Sequence, residues 1–258
     1  MKNKISIVTL SYNQAKHLRL CIESILSQNY DNIEYIIIDP GSTDGSRDII
    51  MSYSDRIDKI IFEKDSGPAD GLNKGFSIAT GEIFGMLNAD DILYKSVFPT
   101  INNLFNKHKQ VDVISGDGHI IDENGKILRN YCSDRFSVKQ YLYQNCTLFQ
   151  QSTFFRSSIF ERSKKFNTKN NISWDGELYL DFALMGANFL NVRQFWSGFR
   201  IMESTISGGD LYLSKLNKDY KRLRKIHNYP EISIMHKNLL WLINWLTQPS
   251  KIFARFLR

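Results

Sequence analysis

Four stretches of this chain deliver oxygen-bearing side chains directly after an apolar run. "KISIVTL" leads into Thr9, Ser11, Tyr12 and Asn13; "IEYIII" ends on Asp39; "IDKIIFE" is followed by Asp65 and Ser66; "EIFGML" runs into Asn88, Asp90 and Asp91. Any one of these is explained by helix caps and turns, which favour Asp, Ser, Asn and Gly. Repeated down the chain, the layout describes a rim of carboxylates, amides and hydroxyls that could hold a hydroxylated or phosphorylated ligand.

The way phosphate would be held is narrowed by what is missing. No G-x-G-x-x-G follows the first apolar run and no G-x-x-x-x-G-K-[ST] occurs, so neither the dinucleotide fingerprint nor a P-loop is available. A phosphate would have to be held through a divalent cation on Asn88, Asp90 and Asp91. Hard oxygen donors suit Mg2+ or Mn2+, which take one or two protein carboxylates and complete their shell with phosphate and water. The histidines at 17, 108, 119, 227 and 236 show no metal-ligand spacing and read as packing or surface residues.

The rim needs elements that bring its members to one place. Strands are predicted over 4–10, 33–39, 57–63 and 82–91, and helices over 13–28, 46–54 and 68–79. The first helix carries apolar residues at 18, 22, 25 and 26, and Pro68 opens the third. Strand and helix in alternation make a parallel sheet covered on both faces, and open parallel sheets bind ligands outside the carboxyl ends of their strands. Past about residue 110 the rhythm changes: short strands around an Asn-Gly turn in 111–131, a strand running into a helix in "QQSTFFRSSIF", and a helix over 173–187 ending near Gly186.

With 258 residues, 42% of them hydrophobic and 23% charged, the chain can bury a sizeable core. Cys21, Cys132 and Cys146, odd in number and well separated, suit reduced thiols, which makes the N-x-S/T triplets at Asn145 and Asn171 incidental. No leader and no spanning helix are expected, since "MKNK" passes straight into "ISIVTLSYN" and no run of 18 apolar residues follows. The net charge of +6 is uneven: residues 215–258 carry +8 and the remainder −2. A basic amphipathic helix is predicted over 210–226. Beyond it, "NLLWLINWLTQPSKIFARFLR" (238–258) sets leucines and tryptophans among cations, a pattern for an interfacial anchor on an anionic leaflet. Packing against the domain, or a dimer contact, is the alternative.

"VTLSYNQAKHLRLCIESILSQNYDNIEYIIIDPGSTDGSRDII" followed by "DSGPADGLNKGFSIATGEIFGMLNADD" resembles the nucleotide-sugar half of family 2 inverting glycosyltransferases. The likeness is dense over residues 4–95, thins to about 205 and is absent beyond. It implies a GT-A-like α/β nucleotide-binding sandwich with a mostly parallel central sheet. A nucleotide-sugar half (1–110) would be followed by an acceptor-side half (111–209) and a basic helical tail (210–258). It places Thr9 and Tyr12 beside the nucleobase, Asp39 on base or ribose, and Asp70 and Asn73 along the donor pocket. Asn88 and Asp90 match the outer positions of the D-x-D metal motif, with Asp91 supporting. Asp175, in "SWDGELYLDFAL", matches the base that deprotonates the acceptor, with Glu177 and Asp181 as competitors. "FRIMESTISGG" (199–209) has Met202 where the family often has histidine. The implied enzyme uses Mn2+ or Mg2+ to move a sugar, most simply from a UDP-sugar, onto a glycan or lipid-linked acceptor in surface polysaccharide synthesis. It would work from the cytoplasm, peripheral on the inner face of the cell membrane.

Two other readings stand beside this one. A nucleotidyltransferase would want a glycine loop or lysine after the first strand, and "TLSYNQA" offers neither. A non-catalytic scaffold or nucleic-acid binder could use the basic tail, with steep salt dependence; the tryptophans and leucines there favour lipid, and no nucleic acid is expected.

Overall fold

The structure is a computed structural model, and it describes residues 2–170, 172–202 and 212–247. The first half alternates as its apolar pattern requires: β1 (Ile5–Leu10), α1 (Ala15–Leu26), β2 (Ile33–Ile38), α2 (Ser46–Met51), β3 (Lys59–Ile61), α3 (Pro68–Ile78) and β4 (Ile83–Asn88). β3, β2, β1 and β4 lie side by side, all parallel. The short β5 (Ile92–Leu93) and α4 (Val97–Lys107) follow.

The second half extends the same sheet. It comprises β6 (Val113–Ile121), β7 (Ile127–Tyr131), α5 (Val138–Leu142), a 3-10 turn at Gln150–Ser152, β8 (Thr153–Arg156), α6 (Ser157–Arg162), α7 (Trp174–Leu184) and β9 (Phe189–Arg200), then α8 (Tyr212–Ile226) and α9 (Ile234–Leu246). The order across the sheet is β3-β2-β1-β4-β8-β6-β9-β5, with β7 paired to β6. β8 is antiparallel to both β4 and β6, and β9 is parallel to β6. The sheet therefore stays mostly parallel and crosses residue 110 without a break.

Strands buried on both faces explain the uninterrupted isoleucines of β2. Ile7, Tyr35 and Ile37 face one core with Leu18, Ile22 and Phe98, while Val8, Ile36 and Ile38 face a second core with Leu72, Phe76 and Tyr179. Successive residues of a strand point to opposite faces, so one apolar run feeds both layers. α3 lies so close on β1 that a Cβ at Gly75 would sit 2.5 Å from Val8 Cγ1. Among the described residues, no helix is long and apolar enough to cross a membrane.

Candidate active site

A cleft of about 1080 Å3 opens outside the carboxyl ends of β1 to β4. Ser11 and Tyr12 line it from the loop after β1, Pro40 and Gly41 from that after β2, Lys64 and Asp65 from that after β3, and Asn88 and Asp90 from the end of β4. The rest of the lining comes from the second half: Arg129 and Tyr131 of β7, Gln150 and Gln151 beside the end of β4, Trp174 and Asp175 of α7, and Tyr212 and Tyr220 of α8. The charged lining is Asp65, Asp90 and Asp175 against Lys64 and Arg129.

At the end of β4, two neighbouring carboxylates differ in what surrounds them. Asp91 is fully buried and points inward, where Oδ1 accepts the Arg200 amide at 2.9 Å. Its Oδ2 accepts from Gln151 Nε2 at 2.8 Å and Asn88 Nδ2 at 3.3 Å. Asp90 lines the cleft at 9% exposure, and no described side chain donates a hydrogen bond to its carboxylate. Burial raises the Asp90 pKa, its own amide and the Arg200 charge only partly opposing this; burial and then the Asp90 charge raise that of Asp91. Arg200, only 1% exposed, braces the turn from behind: Nε donates to the Asp90 carbonyl and Nη1 to those of Asp122 and Glu123. Asn88 directs its amide nitrogen to Asp91 and Gln150, which leaves its carbonyl oxygen for a ligand. A carboxylate with unused lone pairs next to a free amide oxygen fits a hard divalent cation that completes its shell with phosphate and water.

Across the first two loops, Asp39 acts as a hub. Its Oδ1 accepts the Gly41 and Ser42 amides and Arg47 Nε, and its Oδ2 accepts the Ser42 and Ser11 hydroxyls. Burial works against its ionisation, yet Ser42, Arg47 and Gly41 outweigh burial and hold its pKa below the usual value. The same two loops are laced together by Asn13 N–H to Ser42 Oγ, Thr43 N–H to Asn13 Oδ1 and Ala15 N–H to Asp44 Oδ2. Tyr12 emerges from this frame 60% exposed, its ring free to meet a ligand at the cleft mouth.

Asp175 sits in the first turn of α7 and lines the cleft. Burial raises its pKa, with the amides of Gly176 and of Asp175 itself opposing. No described cation lies within ion-pair distance of it; Arg222 pairs instead with Glu177, two residues on, and with Asp219. Tyr141, Tyr179, Tyr212 and Tyr220 gather around Asp175, and burial first, then nearby negative charge including Asp175, raises their phenol pKa values. They stay neutral hydroxyl donors. The fit is tight enough that a Cβ at residue 176 would come 2.3 Å from the Tyr141 hydroxyl, so Gly176 is required there.

Of the residues expected from the sequence, Tyr12, Asn88, Asp90 and Asp175 line one cleft. The structure gives the others different work. Thr9 is fully buried and accepts the Tyr35 hydroxyl at 3.2 Å, because it faces the core side of β1 rather than its end. Asp39 closes the turn behind Pro40 and Gly41, Asp70 accepts the Ser66 amide at the start of α3, and Asn73 exchanges hydrogen bonds with the Phe166 backbone. Asp91 orients its neighbours instead of facing the cleft. Glu177 and Asp181 are tied up, by Arg222 and by the Lys164 amide. Arg200, Gln150, Gln151 and the tyrosines were not anticipated; the "QQ" before β8 was the one local sign. Residues 203–209 of the loop containing Met202 lie outside the described residues.

Comparison with known proteins bears on the family and the fold. GlyG of Streptococcus pneumoniae, a glycosyltransferase, is 36% identical over 127 residues, 48% of this chain and 42% of that protein, so the chain spans under half of this relative. Staphylococcus aureus TarS 1-349, solved with UDP-GlcNAc, superposes with a TM-score of 0.67 at 16% identity over 96% of this chain and 73% of that one. The mannosyltransferase PcManGT from Pyrobaculum calidifontis, solved with GDP-Man and Mn2+, superposes with a TM-score of 0.67 at 17% identity over 98% and 74%. The family model for glycosyl transferase family 2 matches residues 6–172, from β1 to the threshold of α7. By that match, and with a mostly parallel sheet of the GT-A type whose strand ends form one cleft, the chain belongs to glycosyl transferase family 2.

Proposed function

We propose that the chain transfers a sugar, with inversion, from a nucleoside-diphosphate donor to a hydroxyl of a glycan or lipid-linked acceptor. The observation that carries this reading is that Asp90, from the end of β4, and Asp175, from the first turn of α7, line the same cleft. Tyr12 at the mouth offers a face on which a nucleobase can stack. The diphosphate would lie against Asp90 and Asn88. With three carboxylates against two cations in the lining, an anionic donor needs more positive charge than the described side chains supply. Asp90 and the Asn88 carbonyl oxygen would hold a Mn2+ or Mg2+ ion, which when bound would supply that charge and offset the charge developing on the departing diphosphate.

Asp175 takes the proton as the acceptor oxygen attacks the anomeric carbon, and its pKa, raised by burial, makes it a stronger base than a solvated carboxylate. The aromatic wall, with phenol hydroxyls around Asp175, favours a neutral, hydroxyl-rich acceptor end: sugars stack on flat rings and the hydroxyls orient them. Extension of a surface polysaccharide is the setting most consistent with such an acceptor.

Thermal shift over a panel of UDP- and GDP-sugars, with Mn2+ and with EDTA, tests the donor half. One donor class should stabilise the protein only when Mn2+ is present, and Asp90→Asn should lose that stabilisation. Failure of every nucleotide-sugar to shift the transition would overturn the reading.

A further inference from the structure

α9 is amphipathic in the wrong sense for a helix bathed in water. Its buried side chain is polar: Asn244, 7% exposed, donates to Asp134 Oδ1 and to the Asn145 carbonyl. The backbone of the same stripe is also pinned, with the Leu240 carbonyl accepting from Gln140 and the Lys237 carbonyl from Asn145. At about 3.6 residues per turn, Met235, Leu239, Leu242 and Leu246 fall on the side opposite Asn244, flanked by Trp241, Trp245 and Ile243. All seven are exposed, Trp241 by 53% and Leu246 by 60%. The two indoles stack on each other at 6.4 Å on that outer surface. A globular helix in water turns such a stripe inward.

α8 presents the complementary chemistry. Tyr220 and Leu223 are buried in a cluster with Tyr141 and Leu142 of α5, which turns Lys218, Lys221 and Lys225 to the far side of the helix, where they are exposed. None of the three forms an ion pair among the described residues. α8 and α9 are both fastened to the α5 segment, α8 through Arg224 to the Leu142 carbonyl and α9 through Gln140. An unpaired lysine row on one helix and an outward tryptophan–leucine face on the next, both tied to the α5 segment, match a surface that is anionic on top and apolar beneath.

We infer that α9 lies in the headgroup–acyl boundary of an anionic bilayer, with Asn244 as its latch to the body and the α8 lysines on the headgroups. A second copy of this chain would cover the apolar face but bring no anionic partner to the unpaired lysines, since residues 215–258 carry a net +8, which disfavours it. This inference stands apart from the reaction proposed above, because neither helix face uses the cleft.

The test is co-sedimentation of the full chain with phosphatidylcholine vesicles that contain, or lack, phosphatidylglycerol. Binding is expected to the anionic vesicles and to weaken in high salt. Trp241→Ser/Trp245→Ser and Lys218→Glu/Lys221→Glu/Lys225→Glu should each lower it by at least ~10-fold, the scale of losing several interfacial contacts. Because all five side chains are exposed, far-UV circular dichroism and melting should be unchanged. Equal binding to both vesicle types, wild-type binding by both variants, or failure of the wild-type chain to sediment overturns the inference. So does a dimer, seen by light scattering, that the tryptophan variant dissociates without any vesicle binding.

Discussion

Asp175 combines burial with freedom from any cationic partner among the described residues, and this sets the pH at which it can work. As the proposed base, its carboxyl would accept a proton from the acceptor only while ionised, and burial raises its pKa above the ordinary value. Activity must therefore fall as pH drops through that raised pKa, at a higher pH than for a solvated carboxylate. The acid limb of kcat/KM should lie above the ordinary aspartate range. Nucleotide affinity, measured over the same pH range, separates this limb from protonation at Asp90, whose pKa burial also raises. A limb at the ordinary aspartate pKa would remove Asp175 from the role of base. At this scale the sequence displayed Asp39 and Asp90 equally well, as carboxylates ending apolar strands. It could not display that Ser11, Ser42 and Arg47 consume the lone pairs of one and leave the other open. Nor could it display Arg200, which meets Asp90 across 110 positions of chain and follows no local period.

Among elements, β1 to β4 were legible because parallel strands buried on both faces are written as continuous apolar runs. α1 was legible from a helical stripe at 18, 22, 25 and 26, and α3 from the proline that opens it. β9 was not: "FLNVRQFWSGFR" mixes polar and apolar residues, is mostly half-buried, and owes its strand to pairing with β6. The contact of α3 on β1 yields a prediction at this scale. Gly75→Ala drives a methyl group into Val8, so helix and strand must separate or distort. Overpacking of this kind costs about 1–3 kcal/mol, to be read as a lower denaturation midpoint with an unchanged slope. A neutral or stabilising effect would mean that α3 sits further from the sheet than described. Since Gly71 and Leu72 ride on the same helix near Leu10 and the second core, the variant should also weaken nucleotide binding.

For the molecule as a whole, the two halves share one sheet but bring unlike side chains to the cleft: loops with oxygen donors from the strand ends, aromatic rings from α7, α8 and β7. The family match stops at residue 172, yet Asp175, Tyr212 and Tyr220 lie past it and line the cleft. The part of the chain beyond the family match thus supplies the aromatic lining that we propose meets the acceptor, and its chemistry is the least legible in the sequence. Of residues 238–258, where the sequence pattern points to an anchor, 248–258 lie outside the described residues, and the rest belongs to α9 and the residue after it, where the exposed apolar face is seen. The division of labour between the walls is tested most directly by comparing Asp175→Asn with wild type for sugar transfer, with nucleotide affinity in Mn2+ measured on the same samples. Transfer should fall by ~100-fold or more while affinity holds, the scale expected for removing a general base. Transfer at the wild-type rate, or a loss of affinity equal to the loss of rate, would contradict the account.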